Sequence, residues 1–257
     1  MSSPKKVIVV TGVGNGTGTG GSTAKLFAEK GYYVAVLSRG WVVLLSLRII
    51  LLSQSRYAAQ AAAFPLESYS PQDITAAWEA INTRFPKPEF RIEAAVYNAS
   101  HGIWKPFLEI TDQDLQDCLQ NSVAGAFAFA RGAITVFKDN EIDGIGKRGT
   151  LIFTGATASL RGNVTTSAFS ASKHALRALS QSLAKEFGKS NIHVAHSIID
   201  GGILVDWLRK YRDEAWAANE DGRLNPESIA NAYYYLSQQD RSAWTWELDL
   251  RPAHEKW

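Results

Sequence analysis

The sequence predicts an α/β protein in which one doubly wound parallel sheet of about seven strands carries helices on both faces. Short β-branched or apolar runs alternate with longer stretches of helical period, as in βαβ units. The first apolar run leads into a glycine-rich turn and then a helix. A length of 257 residues lies near the upper end for one core, and we find no linker. We therefore expect a single domain over residues 1–257.

The strand predictions rest on apolar composition and the helix predictions on capping signals and apolar spacing. Six strands are predicted at 7–10, 34–37, 62–66, 92–97, 150–154 and 193–199, and a seventh where Trp246, Leu248 and Leu250 alternate with acidic residues. Ser70-Pro71 starts one helix, and Thr111 with Asp114 resembles a capping box that starts another. Two further helices are predicted over 168–187 and 226–236.

Composition and charge exclude several classes of protein. The chain has 27 basic and 25 acidic side chains and no basic run beyond a lysine pair, so it lacks the footprint of a nucleic-acid binder. The single cysteine, Cys118, excludes an internal disulfide framework and suits a reducing compartment. No secretory signal or stretch of membrane-spanning length is evident, so we expect a cytoplasmic protein with no membrane span.

A glycine-rich turn follows the first predicted strand. Six glycines occur in the ten positions that end at Gly21, and we assign five of them to cofactor binding: Gly12, Gly14, Gly16, Gly18 and Gly20. Glycine permits positive φ and lets the peptide N–H groups of a helix N-terminus face a pyrophosphate. A merely flexible turn is the alternative, but the position between a strand and a helix favours a dinucleotide site. No Gly-Lys-Ser/Thr closes the motif, which disfavours a P-loop.

The second predicted strand ends at Ser38 and Arg39, with no acidic residue nearby. A carboxylate at this point usually holds the ribose 2′-hydroxyl of NAD, whereas an arginine accommodates the 2′-phosphate of NADP. We therefore predict that the cofactor is NADP(H), with NAD(H) as the alternative. The other interpretation of Arg39 is an ordinary surface charge that binds no cofactor.

Together these positions resemble the short-chain dehydrogenase/reductase family, a single Rossmann-like domain of about this length, over nearly the whole chain. The family's Thr-Gly-x-x-x-Gly-x-Gly turn fits in two registers, which implies a turn two residues longer than usual: Thr11, Gly12, Gly16 and Gly18 match from the strand, and Gly14, Gly18 and Gly20 match from the helix. Tyr97-Asn98-Ala99-Ser100 is similar to the family's Asn-Asn-Ala-Gly. Asn121 matches the asparagine that anchors a water-mediated proton relay.

The catalytic positions of the family are only partly kept. Phe169-Ser170-Ala171-Ser172-Lys173 is similar to the family's Tyr-x-x-x-Lys, with phenylalanine where the tyrosine transfers the substrate proton. The lysine lowers the pKa of that phenol and holds the nicotinamide ribose. Ala156 stands thirteen residues earlier, where the family has its serine. The resemblance thus implies a site that keeps Asn121 and Lys173 and lacks two polar groups.

We assign Thr157 as the catalytic stand-in, together with Asn121 and Lys173. The alternatives are Ser159, Ser167, His101, or a water held by Asn121 and Lys173. No metal site is predicted, because His174, His193 and His196 show no metal-ligand spacing.

Asp200-Gly201-Gly202-Ile203 follows the sixth predicted strand, where the family usually has Pro-Gly before a residue that meets the nicotinamide amide. The resemblance assigns Gly201 and Ile203 to cofactor binding, although aspartate replaces the proline. Residues 200–225 are predicted to cover the site.

The leading hypothesis is an NADP(H)-dependent oxidoreductase that acts on a small carbonyl or alcohol substrate with an altered proton-transfer site. The alternative is a non-catalytic NADP(H)-binding sensor or scaffold, and a lyase or isomerase on the same fold stays open. The resemblance implies a homodimer or homotetramer. The apolar stretch 41–57 is either an extra oligomer or membrane-surface contact or, the favoured interpretation, not an evolved helix, for instance through an error in the assumed reading frame or splice.

Overall fold

The computed structural model describes residues 3–40 and 60–256. Its strands form one parallel sheet in the order β3-β2-β1-β4-β5-β6-β7. They are β1 Lys5–Thr11, β2 Tyr33–Arg39, β3 Ala61–Leu66, β4 Phe90–Tyr97, β5 Gly149–Thr154, β6 Ile192–Ile199 and β7 Glu247–Leu250. The predicted fold class is confirmed. The strand order reverses between β1 and β4, and such a switch point opens a crevice at the carboxyl ends of the strands.

The chain has eight α-helices among the described residues. They are α1 Thr19–Glu29, α2 Pro71–Arg84, α3 Asp112–Leu119, α4 Gly125–Lys138, α5 Ser167–Phe187, α6 Asp206–Arg209, α7 Glu214–Ala218 and α8 Pro226–Gln238. Five of them, α1, α2, α4, α5 and α8, pack on the two faces of the sheet. Ser70 Oγ accepts the N–H of Asp73 at 3.1 Å, so the predicted cap of α2 forms. Thr111 and Asp114 make the reciprocal bonds of a capping box before α3.

The helix that begins after Thr111 is interrupted. One π-helical turn, Gln120–Ala124, separates α3 from α4, and the sequence pattern did not predict it. A single extra residue in a helical turn leaves no mark on apolar spacing, and such turns often occur at functional sites.

Two apolar clusters lie on opposite faces of the sheet. One packs α2, α4 and α5 against the sheet around the fully buried Tyr97 and Phe129. The other packs α1 and α8 around the fully buried Phe27 and Tyr233. Complete burial of one such side chain contributes about 1.5–3 kcal/mol, so both clusters hold the sheet edge that carries the site in place.

The apolar stretch 41–57 lies outside the described residues, so the two interpretations of it stay predictions. Within residues 3–40 and 60–256, no helix combines the length and the hydropathy needed to cross a bilayer.

Candidate active site

The glycine-rich turn runs along the carboxyl edge of β1. Gly12, Gly14 and Gly16 have φ of +67°, +54° and +92°, which L side chains rarely adopt. A Cβ on Gly12 would lie 2.7 Å from the backbone N of Ala99, whereas one on Gly14 would meet nothing within 4 Å. Gly12 is therefore required by close packing and Gly14 by conformation alone.

The N-terminus of α1 packs directly onto this turn. A Cβ on Gly20 would lie 2.7 Å from Gly12 O, and one on Gly21 would lie 2.0 Å from Gly16 O. Gly18 is the N-cap of α1, and no side chain caps the helix. The first-turn N–H groups of a helix without a side-chain cap suit an anionic ligand. Gly21 was not among the predicted site residues.

Asn98 links the end of β4 to the glycine-rich turn through hydrogen bonds. Its side-chain Nδ2 donates to Gly12 O at 2.9 Å, and its backbone N–H donates to Thr11 Oγ1 at 3.0 Å. Ala99 N–H donates to the same hydroxyl oxygen at 3.3 Å. These bonds hold the two walls of the crevice together at the switch point.

Ser38 and Arg39 lie at the end of β2, where the sequence places them. Arg39 is exposed, and its guanidinium carbon lies 5.7 Å above the ring centroid of the buried Tyr69. Burial raises the pKa of the Tyr69 phenol, whose hydrogen-bonding neighbours are Ser38 and the backbone of Gly12. Sequence reasoning missed Tyr69, because it comes from the loop after β3 and no spacing links it to Arg39.

Lys173 is buried on α5 and reaches the end of β5. Its Nζ donates to Thr154 O at 2.8 Å, and burial lowers the pKa of its ammonium group to about 8. The Nζ lies 5.8 Å from the centroid of the Phe169 ring, which occupies the predicted tyrosine position. Phe169 is half-buried and packs against Trp104 with ring centroids 5.4 Å apart. The site thus keeps the lysine and the aromatic ring without a phenol.

Asn121 lies in the π-helical turn between α3 and α4 and is buried. Its Nδ2 donates to Asp117 O at 2.7 Å, and its backbone O accepts the hydroxyl of Tyr97 at 2.5 Å. Its Oδ1 is buried and makes no hydrogen bond with the described residues. The backbone carbonyl of Asn121 is therefore hydrogen-bonded to the hydroxyl of Tyr97.

Thr157 is half-buried on the turn after β5, next to Ala156. Its hydroxyl donates to Oδ1 of Asp200, which follows β6 and is only 2% exposed. Arg161 Nη2 lies 3.8 Å from Oδ1 of that carboxylate, and Arg251 Nη2 lies 3.4 Å from Oδ2. Sequence reasoning gave Asp200 no role beyond replacing a proline; an acidic residue in that place was the available signal.

The other predicted stand-ins have different surroundings. Ser159 is fully buried, and its Oγ accepts the N–H of Ala156 at 3.1 Å. Ser167 is exposed at the start of α5, and the backbone O of His101 accepts the thiol of Cys118 at 3.5 Å. Thr157 differs from these candidates in that its hydroxyl donates to the buried carboxylate of Asp200.

The segment after β6 contacts the glycine-rich turn. Gly201 has φ of +148°, and a Cβ there would lie 2.8 Å from Pro252 Cδ. Ile203 forms a bridge with Leu224, and Asn15 Nδ2 of the glycine-rich turn donates to Asp206 Oδ2 at 2.9 Å. Within the described ranges, no group of three or more His, Cys, Asp or Glu side chains is placed to hold a metal ion.

Comparison with known proteins identifies the class. A sequence profile of the family described as short chain dehydrogenase matches residues 6–216. The chain therefore belongs to the short chain dehydrogenase family, whose members are oxidoreductases with an NAD(P)-binding Rossmann fold.

Individual relatives share less than a third of their aligned residues with this chain. The chain is 25% identical to the mouse (Mus musculus) 3-oxoacyl-[acyl-carrier-protein] reductase over 225 residues, which is 87% of this chain and 88% of that protein. It is 27% identical to the NADPH-dependent 1-acyldihydroxyacetone phosphate reductase of Saccharomyces cerevisiae over 206 residues, 80% of this chain and 64% of that protein. A crystal structure of a short-chain dehydrogenase from Rhodopseudomonas palustris superposes with a TM-score of 0.74 at 29% identity, over 96% of this chain and 98% of that one.

Proposed function

We propose that the protein is an NADP(H)-dependent oxidoreductase that interconverts a carbonyl and an alcohol on a small-molecule substrate. One observation carries the proposal: the glycine-rich turn, Asn98 and the buried Lys173 converge at the carboxyl edge of the sheet. This is where open α/β sheets bind their ligands.

The residues present fit a dinucleotide. A Cβ on Gly12 or Gly20 would collide with backbone, so these glycines let the turn pack against the end of β4 and the N-terminus of α1, whose first-turn N–H groups would face a pyrophosphate. Gly16 takes part in the same packing, because a Cβ on Gly21 would lie 2.0 Å from Gly16 O. Gly14 and Gly18 complete this turn. When bound, the nicotinamide supplies or accepts a hydride.

The ends of β2, β4, α5 and β6 supply the other predicted contacts. Ser38 and Arg39 would hold the adenosine ribose and its 2′-phosphate, and Asn98 the middle of the cofactor. Lys173, Gly201 and Ile203 would hold the nicotinamide half. The yeast relative at 27% identity is described as NADPH-dependent, which supports NADP(H) over NAD(H).

The chemistry required of this chain is to orient the substrate and to move one proton. Phe169 and Ala156 have side chains that neither titrate nor donate, so the proton must pass through another residue or a bound water. Thr157 is the half-buried hydroxyl next to the serine position, and it has an acidic partner. Asn121 in the π-helical turn and Lys173 on α5 are the other two residues that we assign to this step.

The second candidate function is an NADP(H)-binding sensor or scaffold without turnover. The simultaneous loss of the phenol at Phe169 and the hydroxyl at Ala156 favours it, because both proton transfer and polarisation of the substrate carbonyl are weakened. A homodimer or homotetramer in the cytoplasm is proposed for either function, and light scattering of the purified protein tests its assembly.

An NADPH titration followed by fluorescence, then a panel of aldehydes, ketones, quinones and alcohols with the matching cofactor form, tests the function. Saturable binding with turnover supports the oxidoreductase. Saturable binding without turnover over the panel supports the sensor, and no binding overturns both.

A double variant, Phe169→Tyr with Ala156→Ser, then asks whether the missing groups limit the rate. We expect carbonyl reduction to appear or rise, since a positioned acid contributes about 10²–10⁴-fold. Phe127→Tyr, half exposed on α4, is the matched control for adding a phenol. An unchanged rate in the double variant would mean that the pocket does not use these groups.

A further inference from the structure

The candidate catalytic hydroxyl of Thr157 is hydrogen-bonded to the buried carboxylate of Asp200. Asp200 follows β6 and is 2% exposed, and Thr157 follows the neighbouring strand β5. Their side chains are joined by a hydrogen bond from the Thr157 hydroxyl to Asp200 Oδ1. The two residues are 43 positions apart in sequence and meet because β5 and β6 pair in parallel.

We propose that Thr157 exchanges the proton with the substrate oxygen and that Asp200, acting through Thr157, is the acid–base partner that receives and returns it. This inference rests on the oxidoreductase function proposed above. It gives the role of the phenol that Phe169 lacks to a pair of residues at the ends of β5 and β6.

The hydrogen-bond direction supports a role in accepting a proton. An ionised carboxylate only accepts hydrogen bonds, and a threonine hydroxyl has a single hydrogen. That hydrogen points to Asp200, so the lone pairs of Thr157 Oγ1 remain for an incoming donor. The O–H group of a substrate alcohol is such a donor.

The two guanidinium groups beside Asp200 favour its ionised form, which is the form that accepts a proton in alcohol oxidation. Arg251 Nη2 lies 3.4 Å from Oδ2 and also pairs with Asp249, while Arg161 Nη2 lies 3.8 Å from Oδ1. The Arg161 side chain is 42% exposed, so it borders both the buried carboxylate and solvent. A charge buried this deeply is stable only when it is paired and hydrogen-bonded.

The proton movement balances in both directions. In alcohol oxidation the carbinol C–H bond breaks as a hydride that the oxidised nicotinamide accepts, and the O–H bond breaks as its proton passes to Thr157 Oγ1. The original proton of Thr157 passes at the same time to Asp200, and the C=O bond forms. Carbonyl reduction reverses each transfer and begins with Asp200 protonated.

The test uses Thr157→Val and Asp200→Asn, each close in shape to the native residue, and an alcohol that the panel has shown to react. We expect kcat to fall about 10²–10⁴-fold in either variant, with the Kd for NADPH within about twofold of wild type. The double variant should be no slower than the slower single variant, because residues that act as one unit are not additive. Thr157→Ser should recover kcat to within tenfold of wild type, since it restores only the hydroxyl.

Asp249→Asn is the matched control, because Asp249 also pairs with Arg251 but is exposed on β7. It should keep wild-type kcat. Thr157→Val leaves the ion pairs of Asp200 intact, so it tests the proposal even if Asp200→Asn fails to fold.

A kcat of Thr157→Val within threefold of wild type would overturn the proposal, as would multiplicative losses in the double variant. Both results leave the oxidoreductase function standing. A wild-type protein that turns over no member of the panel overturns the proposed function and this inference together.

Discussion

Asn98 Nδ2 donates to Gly12 O at 2.9 Å, and a Cβ on Gly12 would lie 2.7 Å from the carbonyl carbon of Asn98. The glycine-rich turn and the end of β4 thus meet backbone to backbone. The proposed pyrophosphate site depends on this contact, because it places the turn against the switch point of the sheet.

Gly12→Ala should therefore be more damaging than Gly14→Ala. Both residues have positive φ, so both variants carry a conformational cost of about 1–2 kcal/mol. Only the Gly12 Cβ collides with backbone, which adds about 1–3 kcal/mol of overpacking and displaces Asn98. Urea unfolding and NADPH titration of the two variants measure the difference. Equal losses in both quantities would show that the contact with Asn98 does not set the site.

Arg39→Ala tests cofactor choice. If the guanidinium at the end of β2 holds a 2′-phosphate, its removal costs about 1.5–3 kcal/mol, the range of a hydrogen bond to a charged group. The Kd for NADPH should rise about tenfold or more, while that for NADH changes less than threefold. Arg84→Ala, exposed at the end of α2, is the control for losing a surface arginine. A parallel loss for the two cofactors would remove the NADP(H) preference.

Lys173 should make stability depend on pH above neutrality. Burial lowers the pKa of its ammonium group from 10.5 to about 8, so between these values the unfolded chain holds a proton that the folded chain lacks. The burial penalty is full below pH 8 and is relieved as pH rises toward 10.5.

The stability advantage of Lys173→Met over wild type should consequently shrink by about 2 kcal/mol between pH 7 and pH 9.5. Denaturant unfolding at the two pH values measures it, and Lys185→Met, exposed on the same helix, gives the baseline for removing a lysine. A difference that does not change with pH would mean that Lys173 is protonated throughout.

Local signals in the sequence predicted most of the fold. The caps at Ser70 and Thr111 act within three residues, and the apolar runs of the strands need only their own composition. The glycine-rich turn was equally visible, because its six glycines occur within ten positions and Gly20 is required by a contact with Gly12, which is close in sequence.

The rest of the site depends on contacts between distant segments. Thr157 meets Asp200, and Arg39 meets Tyr69, only after the strands pair, and neither pairing leaves a spacing pattern. The π-helical turn that carries Asn121 differs from an α-helix by one residue per turn, which apolar periodicity does not resolve. The residue types in the sequence indicated the candidate site residues, but the residues that each of them contacts were visible only in the structure.

The buried histidines of β6 should make the protein sensitive to acid. Burial lowers the pKa of His193 and of His196 from 6.5 to about 4 each. Between these values the unfolded chain takes up protons that the folded chain refuses, so the free energy of unfolding falls as pH drops from 6.5 to 4. Each histidine contributes about 2 kcal/mol of loss between pH 6.5 and pH 4.5.

His193→Phe isolates one of the two contributions. The phenyl ring keeps the stacking on Trp244, where the ring centroids are 5.1 Å apart, and loses the bond to Thr245 O at every pH. The acid-induced loss of stability should therefore be smaller than in wild type by about 2 kcal/mol between pH 6.5 and pH 4.5. His254→Gln, with a side chain 70% exposed, gives the baseline for removing a histidine. If His193→Phe loses stability with acid as steeply as wild type does, His193 is not buried in its neutral form, and the acid sensitivity must come from other groups.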